Sequence, residues 1–256
     1  MITSTGNQQV KQLVQLRKKA KARKEQQIFL VEGWKMFLEA PKERLRKVYV
    51  SETFEKEHRQ LLGGQSYEVL SDAVFSYVSD TKTPQGILCL VQQQAYELED
   101  LLSPEPATLL ILENIQDPGN LGTMFRTGEG AGITGIIMDP CTVDLYNPKT
   151  IRSTMGSIYR VPFVIADDLA DTVRYLKEKG LKVYAAHLKG SCVYDEPDYT
   201  EPTAFLIGNE GNGLTDQTAS LADTYIRIPM GGQLESLNAA VAASLLMYET
   251  NRQRRK

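Results

Sequence analysis

The chain is poor in several residue types on which common chemistries depend. Its 256 residues hold only three cysteines, two histidines and one tryptophan. Cys89, Cys141 and Cys192 lie about fifty residues apart, without a CxxC pair, and an odd number cannot close a disulfide set. They read as small buried hydrophobes. His58 and His187 are also far apart, so a zinc centre or a Cys/His nucleophile pair lacks its partners, and no metal is expected. No apolar run approaches the ~18 residues needed to cross a bilayer, and MITSTGNQQVKQL lacks the apolar stretch of a signal peptide. The expectation is a cytoplasmic protein with no membrane partner.

What is present suits a packed globular chain. Hydrophobic residues make up 42%, enough for a core, and the length fits one large domain or two small ones. The net charge of −3 conceals an asymmetry. Residues 1–47 carry twelve Lys and Arg against four Glu, a surplus of eight positive charges, which leaves −11 for the remainder. A basic segment of this kind meets a polyanion or forms a solvated helix face. Val10, Leu13, Val14 and Leu16 fall at helical spacing among the basic residues, which predicts one basic amphipathic helix over 7–24.

Short β-rich runs follow: IFLVEG, RKVYVSE, YEVLSD and GILCLVQQ, with a helix around 34–40. The polar, acidic, proline-bearing stretch 92–107 marks a boundary. Beyond it TLLILE, GIIM, VPFVIA, KVYAA, TAFLIG and TYIRIP alternate with helical segments, the last helix running from about Ser236 to Arg252. The expected fold class is α/β: a small N-terminal α/β domain, residues 1–106, and a C-terminal domain with a mostly parallel sheet, residues 107–256. Ligands of such sheets bind in the loops at the carboxyl ends of the strands.

Three of those loops combine glycine with polar side chains: DPGNLGTMFRTGEGAG (117–132), GNEGNGL (208–214) and PMGGQLESLNAAVAAS (229–244). The first does not spell the dinucleotide fingerprint and the second has no Walker lysine, so neither a dehydrogenase nor a P-loop enzyme is indicated. Singly, each reads as a structural turn. Jointly, in this order, they resemble the three motifs of the SpoU/TrmH family of RNA 2′-O-ribose methyltransferases, in the SPOUT (α/β-knot) class. FLVEG, KVYVSE and TKTPQGILCLV resemble the substrate-binding domain that often precedes that catalytic domain, and NPKTIRSTMGSIYRVPF resembles the segment between its first two motifs.

The resemblance implies a trefoil-knotted C-terminal domain that binds S-adenosylmethionine, with Gly208, Glu210, Gly211, Ile228, Met230 and Leu237 as cofactor contacts. It implies Asn120, Arg126, Glu210, Ser236 and Asn238 as the catalytic centre, and a homodimer. Core packing is the plain alternative for Ile228 and Leu237, an N-cap for Ser236, and a surface pair with Glu129 for Arg126. The family proposal makes this arginine a base, but a guanidinium stays protonated in proteins, which favours a phosphate clamp or relay. Lys18, Lys19, Arg23 and Lys24 of the basic helix are the expected RNA contacts, with Arg152 and Ser153 as further candidates. The expected substrate is rRNA. A tRNA substrate, or a catalytically silent RNA-binding assembly factor of the same fold, is the alternative.

Overall fold

A computed structural model describes residues 1–255. Two compact units emerge: Met1–Gln94 with Asp144–Tyr159, and Ala95–Val143 with Arg160–Lys256. They do not follow the expected 106/107 division, because 95–106 packs with the second unit and 144–159 with the first.

In chain order, the elements are α1 (Gln8–Lys18), α2 (Ala20–Gln26), β1 (Ile28–Glu32), α3 (Trp34–Glu39), β2 (Leu45–Ser51), α4 (Glu52–His58), β3 (Glu68–Leu70), α5 (Asp72–Val78), β4 (Ile87–Gln92) and α6 (Leu98–Leu102). Then come β5 (Thr108–Leu112), α7 (Pro118–Ala131), β6 (Gly135–Met138), α8 (Pro148–Thr154), β7 (Phe163–Ile165), α9 (Leu169–Glu178), β8 (Lys182–Ala186), β9 (Cys192–Val193), β10 (Thr203–Ile207), α10 (Asp216–Ala219), β11 (Thr224–Arg227) and α11 (Ala239–Arg254).

The first unit has a four-stranded sheet in the order β1-β4-β2-β3, antiparallel except for the β2/β3 pair. Val10, Leu13 and Leu16 of α1 are fully buried against its apolar face, together with Leu70, Phe75 and Leu88. The single helix expected over 7–24 is two. Lys19 adopts extended backbone between α1 and α2, and its amide closes α1 on the Gln15 carbonyl. This break turns the Arg23 side chain inward, where it is only 5% exposed. It pairs with Asp144 and donates to the carbonyls of Leu16 and Arg17. Arg23 is therefore withdrawn from the RNA contacts: its buried charge satisfies the open carbonyl end of α1 and the half-buried Asp144 carboxylate. Asp144 begins the 144–159 segment, whose Tyr146 ring packs on Phe29 and whose Tyr159 hydroxyl donates to the Met36 carbonyl at 3.0 Å.

The second unit has a seven-stranded, wholly parallel sheet in the order β7-β6-β5-β10-β8-β11-β9. The central strands TLLIL and TAFLI are buried at every residue, as expected of strands covered on both faces. β10 inserts between β5 and β8, so the chain passes β8 to form β11 and then passes back to lay α11 on α7, β10 and β5. This return brings the third glycine-rich loop beside the first two.

Candidate active site

The first loop is held by the start of α7. Asp117 caps it by accepting from the Asn120 amide at 2.9 Å, Pro118 opens the first turn, and Gly132 closes the helix at φ 75°. α11 begins at Ala239, not Ser236. Its cap is Asn238, whose Oδ1 accepts from the amides of Ala240 and Val241. Ser236 is exposed and makes no hydrogen bond among the described residues, so the N-cap alternative for it is corrected.

Three expected catalytic residues meet in one hydrogen-bond chain. The Asn238 Nδ2 donates to the Asn120 Oδ1 at 3.0 Å, and the Asn120 Nδ2 donates to the Glu210 Oε1 at 2.9 Å. Glu210 also accepts from the backbone amides of Gln116 (3.1 Å) and Asp117 (3.0 Å). The three loops are thus tied by side chains that come from positions up to 118 residues apart. Burial pushes the Glu210 carboxyl upward, but the donors from Asn120, Gln116 and Asp117 outweigh it and hold the group below its ordinary range.

A cavity of about 600 Å³ opens beside this chain, at the carboxyl ends of β8, β10 and β11. Gly208, Glu210, Gly211, Ile228, Met230 and Leu237 line it, all six expected cofactor contacts, and Ser236 joins them. Its size is that of a site for a nucleoside-sized ligand. Gly208 shows why the wall is glycine. A Cβ there would lie 2.1 Å from the backbone carbon of Gly213 and 2.1 Å from the backbone nitrogen of Leu214. The second loop folds back on itself at that point through paired Asn209 and Gly213 backbone bonds. Main-chain donors and acceptors, apolar Ile228, Met230 and Leu237, and a shape only glycine permits fit an adenosyl group bearing a methionine tail.

Arg126 stands apart from the hydrogen-bond chain. It is exposed on α7, on a stripe with Thr123 and Gly130, and pairs with nothing among the described residues. The alternative partner Glu129 is engaged by Arg160, which corrects that reading. In the first unit, Lys18, Lys19 and Lys24 are exposed. Arg152 pairs with Asp80 at 2.8 Å through its Nη1, and the Ser153 hydroxyl donates to the Lys149 carbonyl of its own helix, which engages the one proton that hydroxyl could offer a phosphate.

Two positioning residues escaped sequence reading. Glu113, at the end of β5, accepts from the Thr215 amide and hydroxyl, both at 2.8 Å, and from the Thr218 hydroxyl. The Asn209 Nδ2 donates to the Asn114 carbonyl at 2.8 Å. Their place next to strand ends was the available signal. His187 also lines the cavity, with its Nδ1 accepting from the Lys189 amide at 3.1 Å.

A parallel sheet bearing a glycine-walled cavity and three cross-tied loops defines a SPOUT-type catalytic domain, here with an additional α/β unit. The chain belongs to the SpoU rRNA methylase family, which matches residues 107–248, while an MRM3-like substrate binding domain matches residues 7–89. The family is S-adenosylmethionine-dependent. Among relatives, the 23S rRNA (guanosine(2553)-2′-O)-methyltransferase RlmP of Bacillus subtilis is 37% identical over 96% of this chain and 97% of its own. The AdoMet-bound rRNA methyltransferase from Sinorhizobium meliloti superposes with a TM-score of 0.86 at 32% identity, covering 98% of this chain and 97% of that one. The SpoU methyltransferase AviRb from Streptomyces viridochromogenes, in complex with AdoMet, superposes with a TM-score of 0.87 at 27% identity, covering 97% and 98%.

Proposed function

We propose that this chain methylates the 2′-hydroxyl of a ribose in ribosomal RNA, using S-adenosylmethionine held in the 600 Å³ cavity. The observation that carries the reading is the Asn238–Asn120–Glu210 hydrogen-bond chain joining the three motif loops beside that cavity. The rRNA preference rests on the near full-length similarity to RlmP, whose name specifies 23S rRNA.

Bound in the cavity, the cofactor would supply an electrophilic methyl group on a sulfonium for the ribose oxygen, with the thioether as leaving group and the hydroxyl proton passing to solvent. The work of the protein is placement, and holding two reactants in line accounts for many orders of magnitude in such transfers. Backbone around Gly208 and Gly211, with Ile228, Met230 and Leu237, seats the adenosyl group. Asn120 and Asn238 hold the first and third loops in register, and Glu210 anchors the second loop to the first. Arg126, exposed and unpaired, clamps the phosphate beside the target ribose, which orients the hydroxyl and leaves its proton a relay through that phosphate to water. Ser236 faces the cavity as a polar contact.

In the same reading, the first unit, Met1–Gln94 with Asp144–Tyr159, captures RNA, with Lys18, Lys19 and Lys24 meeting phosphates. A second copy of the chain covers the exposed Val241 and Tyr248, which lie seven residues apart on α11 and so share a face. Among the described residues no helix is long and apolar enough to cross a membrane, and no cluster of metal ligands occurs.

The test is transfer of labelled methyl from S-adenosylmethionine to rRNA of a strain lacking the gene, read by nucleoside mass spectrometry. A new 2′-O-methylnucleoside in 23S rRNA is the expected product. Methylation of tRNA alone would overturn the substrate, and RNA binding without any methyl transfer would leave a silent RNA-binding protein.

A further inference from the structure

One concave surface of the first unit lies outside the cofactor cavity. It is a cleft of about 440 Å³, lined by Arg17, Lys18, Asp80, Thr81, Lys82 and Asn147 among others. Its frame is rigid for identifiable reasons. The Arg17 Nη1 donates to the carbonyls of Tyr77, Val78 and Ser79 at 3.1, 2.8 and 2.6 Å, capping the open end of α5. The loop that follows is held by Glu32, which accepts from the Ser79 hydroxyl at 2.6 Å, the Thr81 hydroxyl at 2.8 Å and the Asp80 amide at 3.2 Å.

The charges of this cleft are unevenly engaged. Its one lining carboxylate, Asp80, is paired with Arg152, and Glu32 is occupied by three donors. Among the described residues the Lys18 and Lys82 ammonium groups have no partner, and both side chains are exposed. The Asn147 Oδ1 accepts from the Lys149 amide, which leaves its Nδ2 as a further free donor. Unpartnered donors from three separate segments, over a preorganised wall whose one lining carboxylate is paired with Arg152, is the chemistry of a polyanion site.

We propose that this cleft is the docking site for the phosphodiester backbone of the substrate RNA, with Lys18 and Lys82 each meeting one phosphate. The proposal rests on the RNA-methyltransferase reading and narrows it: of the exposed lysines of α1 and α2, Lys18 acts with Lys82 in this cleft rather than as one of a run along the helix. Lys82 was not among the residues the basic N-terminal segment suggested.

The full-length protein and in vitro transcribed 23S rRNA serve as the probe, with the dissociation constant followed as a function of salt. For K18Q/K82Q the slope of log affinity against log salt falls by about 1.4, since each single-strand phosphate contact contributes about 0.7. Affinity at 0.1 M salt drops at least about tenfold, while S-adenosylmethionine binding by calorimetry and the thermal midpoint are unchanged. The control K42Q/K56Q removes the same charge from the same unit outside the cleft and leaves the slope as it was. A wild-type slope in K18Q/K82Q, in an enzyme that still methylates, overturns the cleft and spares the activity. An equal loss in the control overturns it also, by showing a diffuse field. Absence of both binding and methyl transfer in the wild type overturns the parent reading.

Discussion

Arg126 is the side chain on which the proposed chemistry turns, and its place on α7 lies outside the cavity lining. It is exposed on α7 and unpaired among the described residues, whereas the cavity is walled by the β8, β10 and β11 termini and the second and third loops. Arg126→Ala is expected to lower turnover by about 10²-fold or more through lost orientation, with S-adenosylmethionine affinity by calorimetry unchanged. Lost cofactor affinity would remove Arg126 from the RNA side. Gly208→Ala has the opposite signature. Its methyl would sit 2.1 Å from the backbone of Gly213 and Leu214, so the loop must open, and cofactor affinity is expected to fall more than tenfold with about 1–3 kcal/mol of stability.

Glu210 adds a pH dependence at the same scale. Its folded-state pKa lies below the ordinary 4.5, so the carboxylate contributes stability that is present above 4.5 and is lost as pH falls through the lowered value. Cofactor affinity is therefore expected to hold down to pH 4.5 and to decline only as pH falls through that lowered value. Glu210→Gln should be weaker at neutral pH and flat across that window in a calorimetric titration. A wild-type profile in the variant would free Glu210 from the role of loop anchor.

At the scale of elements, helix ends do more than stop helices. Asn238 both caps α11 through its Oδ1 and reaches Asn120 through its Nδ2. Asn238→Ala is expected to cost about 1 kcal/mol from the cap alone. Asn238→Asp keeps the cap and removes the donor, so the thermal midpoint should hold while turnover falls. A fall in both would merge the two roles. In the first unit, Arg23 closes α1 and neutralises Asp144. Arg23→Met leaves that carboxylate and two carbonyls without their donor, an expected loss of about 3 kcal/mol in denaturant unfolding, with RNA affinity of the folded protein unchanged.

At the scale of the whole molecule, the segment 144–159 governs how the chain can be divided. Ile151, Ile158 and Tyr159 are buried, and they belong to the first unit although they lie inside the second in sequence. A fragment cut at 106/107 is therefore expected to expose them and to aggregate on size-exclusion chromatography, whereas the full chain does not. A monodisperse fragment would show that the segment refolds onto its own half. The proposed pairing of two copies through Val241 and Tyr248 has its own measurement, since V241E/Y248E should sediment as a monomer. A dimeric variant would place the contact elsewhere.

Much of this was legible in the residues. The central strands announce themselves as unbroken apolar runs, and α7 by Asp117, Pro118 and Gly132, because burial and capping act over a few neighbouring positions. The three glycine-rich loops, taken in order, pointed to the family and to the residues that line the cavity. What local pattern could not carry depends on contacts between distant segments. The inward turn of Arg23 depends on Asp144, 121 residues away, and the engagement of Arg152 on Asp80, 72 residues away. The charge surplus of the first 47 residues marked a basic surface, but only folding decided which cations remain free, because a guanidinium buried against a carboxylate and open carbonyls, as Arg23 is, no longer reaches a phosphate. The sequence by itself determined the family, the buried strands and the glycine-rich loops. The tertiary structure alone decided that Asn238, Asn120 and Glu210 form one chain, since hydrogen bonds at about 3 Å are set by how strands and helix ends converge, not by order along the backbone.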